Sequence, residues 1–300
     1  MKKKWTLEQM PSLKGRTIIV TGSNSGIGFE TAKVLASKGA QVILACRNHQ
    51  KGIEAKKRII GLVEYINLDL TNFNNIKKFC QAIHQKYEKV DILVNNAGVM
   101  FPPFTKTKEN LELTFATNYI GYYFLSLQLL PMMKEVQESR IVNVSSIAQY
   151  RINDINWESL NSKKLYRKQE IYALSNLFRI MFTLDLEAKL REKKLKTVAI
   201  SCHPGVALTN LTRHLPKFIV NSSLTKIVFN LFFQSPYEAA KPLLMACTEK
   251  NIQGGDFIGL DTRNQFKGNP TVVDPNPLVF NEKLRKILWK KAVDITGIDF

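Results

Sequence analysis

Between an apolar run ending near Thr21 and an amphipathic stretch opening at Phe29 lies Thr21-Gly22-Ser23-Asn24-Ser25-Gly26-Ile27-Gly28. Its three glycines permit a tight turn and let main-chain N–H groups approach an anion, whose charge then rests on the positive end of a following helix. That arrangement suits a pyrophosphate. The bland alternative is an ordinary turn, and the spacing, Gly-x-x-x-Gly-x-Gly, is wider than the plain dinucleotide fingerprint. A second chemical position closes the next apolar run. An acidic residue there would hold a ribose diol and repel an additional phosphate. This chain has Cys46 followed by Arg47. A guanidinium suits bidentate phosphate binding, so NADP is favoured over NAD, against the alternative of a solvated loop arginine.

Strands and helices must carry these positions. Short β-branched runs alternate with longer stretches of helical periodicity, the pattern of βαβ units in a parallel sheet. Strands are predicted at 16–20, 41–45, 63–68, 90–95, 140–144 and 196–201, with a short one near Phe257. Helices are predicted near 26–38, 49–60, 73–87, 109–134, 170–192, 222–233, 236–248 and 281–295. The expected fold class is α/β, a single doubly wound Rossmann-type sheet of about seven strands with helices on both faces. One domain is expected over 1–300, with a motif-bearing core at 14–210, a lid region at 203–249 and a C-terminal extension at 250–300. The ligand crevice of such a sheet lies beyond the carboxyl ends of its strands. Two connections there are long, 147–169 and 203–221, and long loops at that edge carry substrate contacts.

Further motifs follow in order: Asn95-Asn96-Ala97-Gly98 after the fourth strand, Asn118 in the next helix, Ser145-Ser146 after the fifth strand, Tyr172, and Pro204-Gly205 after the sixth. With the glycine turn they resemble the short-chain dehydrogenase/reductases. Ala45-Cys46-Arg47, His203-Pro204-Gly205-Val206 and Asn210-Leu211-Thr212-Arg213-His214 are most similar to the retinol dehydrogenase branch and its bacterial relatives, and Phe233-Gln234-Ser235-Pro236 and Leu288-Trp289 through Thr296-Gly297 extend the likeness over nearly the whole chain. The resemblance implies hydride transfer between a nicotinamide and a carbonyl or alcohol. It implies cofactor contacts from Gly22, Ser23, Asn24, Ser25, Gly26, Ile27, Gly28, Arg47, Asp69, Leu70, Asn96, Ala97, Gly98, Tyr172, Pro204, Gly205, Val206 and Thr209. Asp69 matches the position that accepts from the adenine amino group, although an Asp there can also be only a helix cap, since Asn72 begins a helix nearby.

The resemblance makes Tyr172 the general acid/base and Ser146, 26 residues earlier, the group holding the substrate oxygen. Ser145 is the runner-up, because strand alternation lets only one of the pair face the substrate. Asn118 matches the asparagine that bends the helix and whose carbonyl joins a water relay. Taken singly, these are a core tyrosine, a strand-end cap and a helical polar contact.

One catalytic position departs from the pattern. Four residues past Tyr172, where the family has lysine, stands Asn176. The family's lysine binds the nicotinamide ribose and lowers the tyrosine pKa; an amide retains some of the first role and none of the second. A cation about 4 Å away is worth roughly 4 kcal/mol at an effective dielectric near 20, or about three pKa units. Oxidation, which needs a phenolate base, should therefore suffer more than reduction, which needs a phenol acid. Two readings follow: a reduction-biased NADP-dependent carbonyl reductase, or a nucleotide-binding pseudoenzyme. Lys168, one turn before Tyr172, is either a substitute cation or an exposed lysine.

Composition narrows the setting. The chain has 300 residues, 45% of them hydrophobic and 23% charged, which excludes disordered and fibrous classes. The 43 Lys and Arg against 25 Asp and Glu give +18, with basic residues scattered and without the aromatic interleaving of a strand-binding groove. A solvated lysine surface is expected, with no specific nucleic acid partner and metal-free chemistry. Four well-separated cysteines and a polar start after Lys2-Lys3-Lys4 fit a cytoplasmic protein with no transmembrane segment. Leu224, Ile227, Val228, Leu231 and Phe232 form an apolar helical face, read as a lid over an apolar substrate, as core or dimer packing, or more weakly as a membrane-surface contact. The resemblance also raises a homodimer through helices 109–134 and 170–192.

Overall fold

The computed structural model describes residues 4–207 and 234–300. Eight strands form one sheet: β1 (Thr17–Thr21), β2 (Gln41–Cys46), β3 (Val63–Asn67), β4 (Ile92–Asn95), β5 (Arg140–Val144), β6 (Val198–Cys202), β7 (Phe257–Leu260) and β8 (Pro270–Val272). Their order is β3-β2-β1-β4-β5-β6-β7-β8. Every neighbouring pair is parallel except β7 with β8, where Ile258 faces Val272. Ile18, Ile19 and Val20 of β1 are wholly buried, because helices cover both faces of the sheet, and continuous β-branched runs are what such strands require. The order reverses direction between β1 and β4, which opens the crevice at their carboxyl ends.

On one face pack α1 (Gly26–Ser37) and a helix near the C-terminus, α7 (Pro236–Thr248), with Trp5, Met10 and Leu13 of the N-terminal segment. The α2 helix (His49–Lys57) follows β2. The other face carries α3 (Phe73–Lys86), α5 (Gly121–Leu129), α6 (Lys168–Glu192) and α8 (Glu282–Thr296). A short α4 (Leu113–Phe115) leads into α5 through a π-turn at Ala116–Ile120.

Within the described residues the predicted elements recur, with shifts at several boundaries, among them β4 starting at Ile92 rather than 90 and β6 at Val198 rather than 196. The helix expected over 109–134 starts only at Leu113, where the Glu112 carboxylate accepts from the Phe115 N–H at 2.7 Å. It is broken by the π-turn and gives way at Leu130–Met132, where Pro131 lacks an N–H. The α2 helix stops at Lys57 rather than 60, and α6 begins at Lys168 rather than 170. An eighth strand, β8, was not expected; it is a three-residue edge strand opened by proline, which carries no alternation signal. The predicted helix at 222–233 and Thr209 lie outside the described residues.

The C-terminal extension closes over α5 and α6. Trp289 of α8 lies 5.1 Å from the Tyr123 ring and 6.0 Å from that of Phe182, and Arg285 pairs with Asp185 of α6 at 2.8 Å. Gly297, with φ 70°, ends the helix in the left-handed conformation. Part of the helical face expected to pair two copies is therefore covered from within the chain.

Two buried ionisable groups anchor the sheet's ends. At the amino end, the wholly buried Asp91 accepts from the Thr17 N–H at 2.8 Å, from Arg16 at 2.8 Å and from Lys89 at 3.1 Å. Asp91→Ala strands these donors and should cost about 3 kcal/mol in a urea melt. Cofactor affinity of the folded fraction should not change, since Asp91 lies at the opposite edge from the glycine turn. At the carboxyl end, His203 is buried, with Nε2 2.6 Å from Gln265 Oε1 and Nδ1 accepting from the Gly205 N–H at 3.1 Å. Burial pushes its pKa down to about 4, with the Gln265 bond opposing. The folded state thus binds fewer protons than the unfolded chain, whose histidine titrates near the ordinary 6.5. Stability contributed here is present above pH 6.5 and is lost as pH falls toward 4. His203→Asn should flatten that part of the stability-against-pH curve; an unchanged slope would exclude His203 as its source.

Candidate active site

The glycine turn and the loop after β4 are in contact. A Cβ on Gly22 would sit 2.8 Å from Ala97 Cα, and one on Gly28 would sit 2.4 Å from Asn96 Nδ2. Gly22 also has φ 66°. Thr21 Oγ1 accepts from the N–H groups of Asn96 and Ala97, both at 2.9 Å, and Asn96 Nδ2 donates to the Thr21 carbonyl at 2.9 Å. These bonds hold Gly22, Ser23, Asn24, Ser25, Gly26, Ile27 and Gly28 against Asn96, Ala97 and Gly98 at one mouth of the crevice.

This mouth fits a nucleotide's pyrophosphate. Ser25, the residue before α1, makes no side-chain cap bond, and the first turn of α1 holds no acid. Its N–H groups therefore remain for an anion. Ser23 is wholly buried, with an unpartnered hydroxyl among the described residues.

Arg47 is exposed just past β2, and its carbonyl accepts from Asn67 Nδ2 at 2.9 Å. Cys46, at the strand end, is kept a neutral thiol by burial, which pushes its pKa up to about 11. The end of β2 thus carries a neutral side chain followed by a cationic one. The helix cap of α3 is Asn72, which accepts from the Asn75 N–H at 3.0 Å. Asp69 instead forms a local turn, its Oδ1 accepting from the Thr71 N–H at 3.0 Å and hydroxyl at 2.7 Å. Leu70 beside it is buried and packs under the close approach of Gly121.

At the other mouth, α6 packs on the 3-10 turn Ile147–Arg151. The two serines before that turn separate cleanly. Ser145 is buried, its hydroxyl donating to the Asn176 carbonyl at 2.9 Å. Ser146 is half-buried and caps the turn, accepting from the Ala148 N–H at 3.2 Å. Tyr172 is half-buried too, edge-on to Phe101 with ring centres 5.2 Å apart. Lys168 is the first residue of α6 and is exposed. Pro204, Gly205 and Val206 follow β6 as half-buried residues at the same edge.

Asn118 sits in the π-turn, wholly buried, with its side chain clamping Val99: Oδ1 accepts from the Val99 N–H at 2.9 Å and Nδ2 donates to the Val99 carbonyl at 3.0 Å. Its main-chain carbonyl, expected to join a water relay, accepts from Arg179 Nε at 2.7 Å. Asn176 is likewise wholly buried. Its Nδ2 donates to the Tyr172 carbonyl at 2.7 Å and its Oδ1 accepts from Arg179 at 3.1 Å. The side chain is thus turned into the protein rather than toward a ribose.

Arg179 is the residue that sequence reasoning missed. The signal was its spacing, three residues past Asn176 and seven past Tyr172 on one helical face, amid apolar Leu177, Phe178, Ile180 and Met181. Among the described residues no cluster suited to a metal ion occurs, and no helix is long and apolar enough to cross a membrane.

Comparison with known proteins identifies the family. Residues 16–220 match the short chain dehydrogenase family. Mouse retinol dehydrogenase 13 is 35% identical over 96% of this chain and 85% of its own, and mouse retinol dehydrogenase 14 is 31% identical over 95% and 87%. A crystal structure of an uncharacterised protein from Mycobacterium paratuberculosis superposes with a TM-score of 0.82, at 29% identity, over 99% of both chains. The chain therefore belongs to the short-chain dehydrogenase family, in its retinol dehydrogenase-like branch, and is an oxidoreductase.

Proposed function

We propose that this oxidoreductase uses NADP and transfers hydride to and from an apolar carbonyl or alcohol. The observation that carries the reading is the division of labour at the carboxyl edge: Ser145 is committed inward while Ser146 and Tyr172 remain half-buried on neighbouring elements. When bound, the nicotinamide supplies the hydride or accepts it. Tyr172 Oη then gives a proton to the substrate oxygen in reduction and takes one in oxidation, and Ser146 Oγ donates a hydrogen bond to that oxygen. The glycine turn and the open N-terminus of α1 hold the pyrophosphate, Asp69 and Leu70 flank the adenine, and Arg47 takes the ribose phosphate. Phe101 against Tyr172 gives the reacting edge an apolar wall, in keeping with relatives named for retinol, an apolar alcohol.

Two measurements test this. Titration of cofactor fluorescence should give NADPH about tenfold or more tighter binding than NADH, the worth of one charge-assisted contact, and Arg47→Asp should reverse the preference. Equal affinities in the unaltered chain would remove Arg47 from the phosphate role. In the second, NADPH oxidation is followed with a panel of apolar aldehydes, ketones and quinones, beginning with the aldehyde of retinol. Tyr172→Phe should lower kcat by at least about a hundredfold while NADPH affinity persists. Absence of turnover in the unaltered chain, with NADPH still bound, would make it a nucleotide-binding pseudoenzyme.

A further inference from the structure

Arg179 is 4% exposed, and its partners are all neutral. Nε donates to the Asn118 carbonyl at 2.7 Å, Nη1 to the Val144 carbonyl and, at 3.1 Å, to Asn176 Oδ1, and Nη2 to the Ala97 carbonyl at 3.2 Å. The guanidinium also lies 4.6 Å from the centre of the Tyr122 ring. Its positive charge is therefore buried with no carboxylate paired to it among the described residues, and it is felt nearby. Burial pushes the Tyr122 phenol up to about 12, while the Arg179 charge pulls it the other way.

The four groups it holds belong to four catalytic segments. Ala97 lies in the loop after β4, Asn118 in the π-turn, Val144 directly before Ser145-Ser146, and Asn176 one turn beyond Tyr172. Resting on the oxidoreductase reading above, we propose that Arg179 is the resident cation of this site, a positioning residue that takes over, from three residues further along α6, the place of the lysine that the family carries at position 176.

Asn176 is then a fitted partner rather than a defect. Its Oδ1 accepts from the arginine, and its Nδ2 ties the Tyr172 carbonyl to the same network. A lysine at 176 would remove that acceptor and set an ammonium beside a buried guanidinium, which low dielectric penalises heavily. The site holds one cation, at 176 or at 179, and not two.

A double-mutant cycle reads this directly. Asn176→Lys alone should lower the melting temperature of the cofactor-free protein and should not raise kcat. Arg179→Met, which keeps the apolar stem, should lower kcat on the order of tenfold to a hundredfold with NADPH affinity near that of the unaltered chain. Combining the two should recover the melting temperature lost in Asn176→Lys and much of the kcat lost in Arg179→Met. Arg179→Lys, keeping the charge with fewer donors, should fall between Arg179→Met and the unaltered chain in kcat.

The proposal is overturned if Asn176→Lys is as stable as the unaltered chain, if Arg179→Met keeps full kcat, or if kcat and cofactor affinity fall in parallel, the mark of a merely structural residue. It is equally overturned if the double variant recovers neither quantity. Should Arg179→Met fail to fold, Asn176→Lys, the double variant and Arg179→Lys still decide. Should the unaltered chain turn over no substrate, the proposed hydride-transfer reading fails on its own, and the melting temperatures of the cycle still decide whether positions 176 and 179 tolerate one cation or two.

Discussion

The cofactor end of this molecule depends on one close approach, that of the β1–α1 turn to the loop after β4. Two main chains can lie this near only where no Cβ intervenes, as at Gly22 against Ala97, while Gly28 leaves room for the Asn96 side-chain amide. Thr21 then serves as the clasp. Its hydroxyl accepts two N–H groups from the loop, and its carbonyl accepts from Asn96. The N–H donors of the first α1 turn lack a side-chain cap, since Ser25 makes none. Strand order supplies the rest, since β1 and β4 are neighbours whose connections leave in opposite directions, so neither helix fills the gap between them.

From that clasp a chain of buried polar groups runs under the sheet edge toward α6. Asn95 donates to Ser126 and to Asn143, both at 2.9 Å, and Asn143 donates to Thr183 at 3.0 Å. Arg179 stands one helical turn before Thr183 and joins the same elements through carbonyls. Breaking one of these buried bonds would strand its partner, so the set ties β4, β5 and α6 together, although Asn95 Oδ1 itself has no partner among the described residues. Ser146 and Tyr172 inherit their positions from it, one from the end of β5 and the other from the first turns of α6.

Much of this was legible because it is written in residue types that have few other uses. Glycines between a strand and a helix, paired asparagines at a strand end and a β-branched run buried on both faces each point to one local structure. The π-turn at Ala116–Ile120 was not legible, since a single wide turn leaves the apolar periodicity on either side nearly in phase. The strand β8 was not, because three residues beginning with proline resemble a loop. Arg179 was passed over for a different reason. A charged residue in a helix ordinarily reads as solvated, and only the tertiary structure reveals that four carbonyl-type acceptors converge on it. The expected deficit of charge at Asn176 rested on the amide alone; what the sequence concealed was which neighbour its side chain meets.

The chemistry of the two cations explains why the substitute stands three residues away. A lysine offers three donors on a compact, strongly hydrated head, and at 176 it would need an open cleft to stay solvated. A guanidinium spreads its charge over a plane and offers five donors in a fixed fork, so neutral carbonyls can satisfy it without water. Four such bonds are made here, three to main-chain carbonyls and one to the Asn176 side-chain oxygen. The arginine can therefore sit below the floor of the site instead of in it. There it ties together the main chain of the segments that lead to Ser146 and Tyr172. Asn176 is the size and polarity such an arrangement needs between floor and cleft, an acceptor for the guanidinium on one atom and a donor to the Tyr172 main chain on the other.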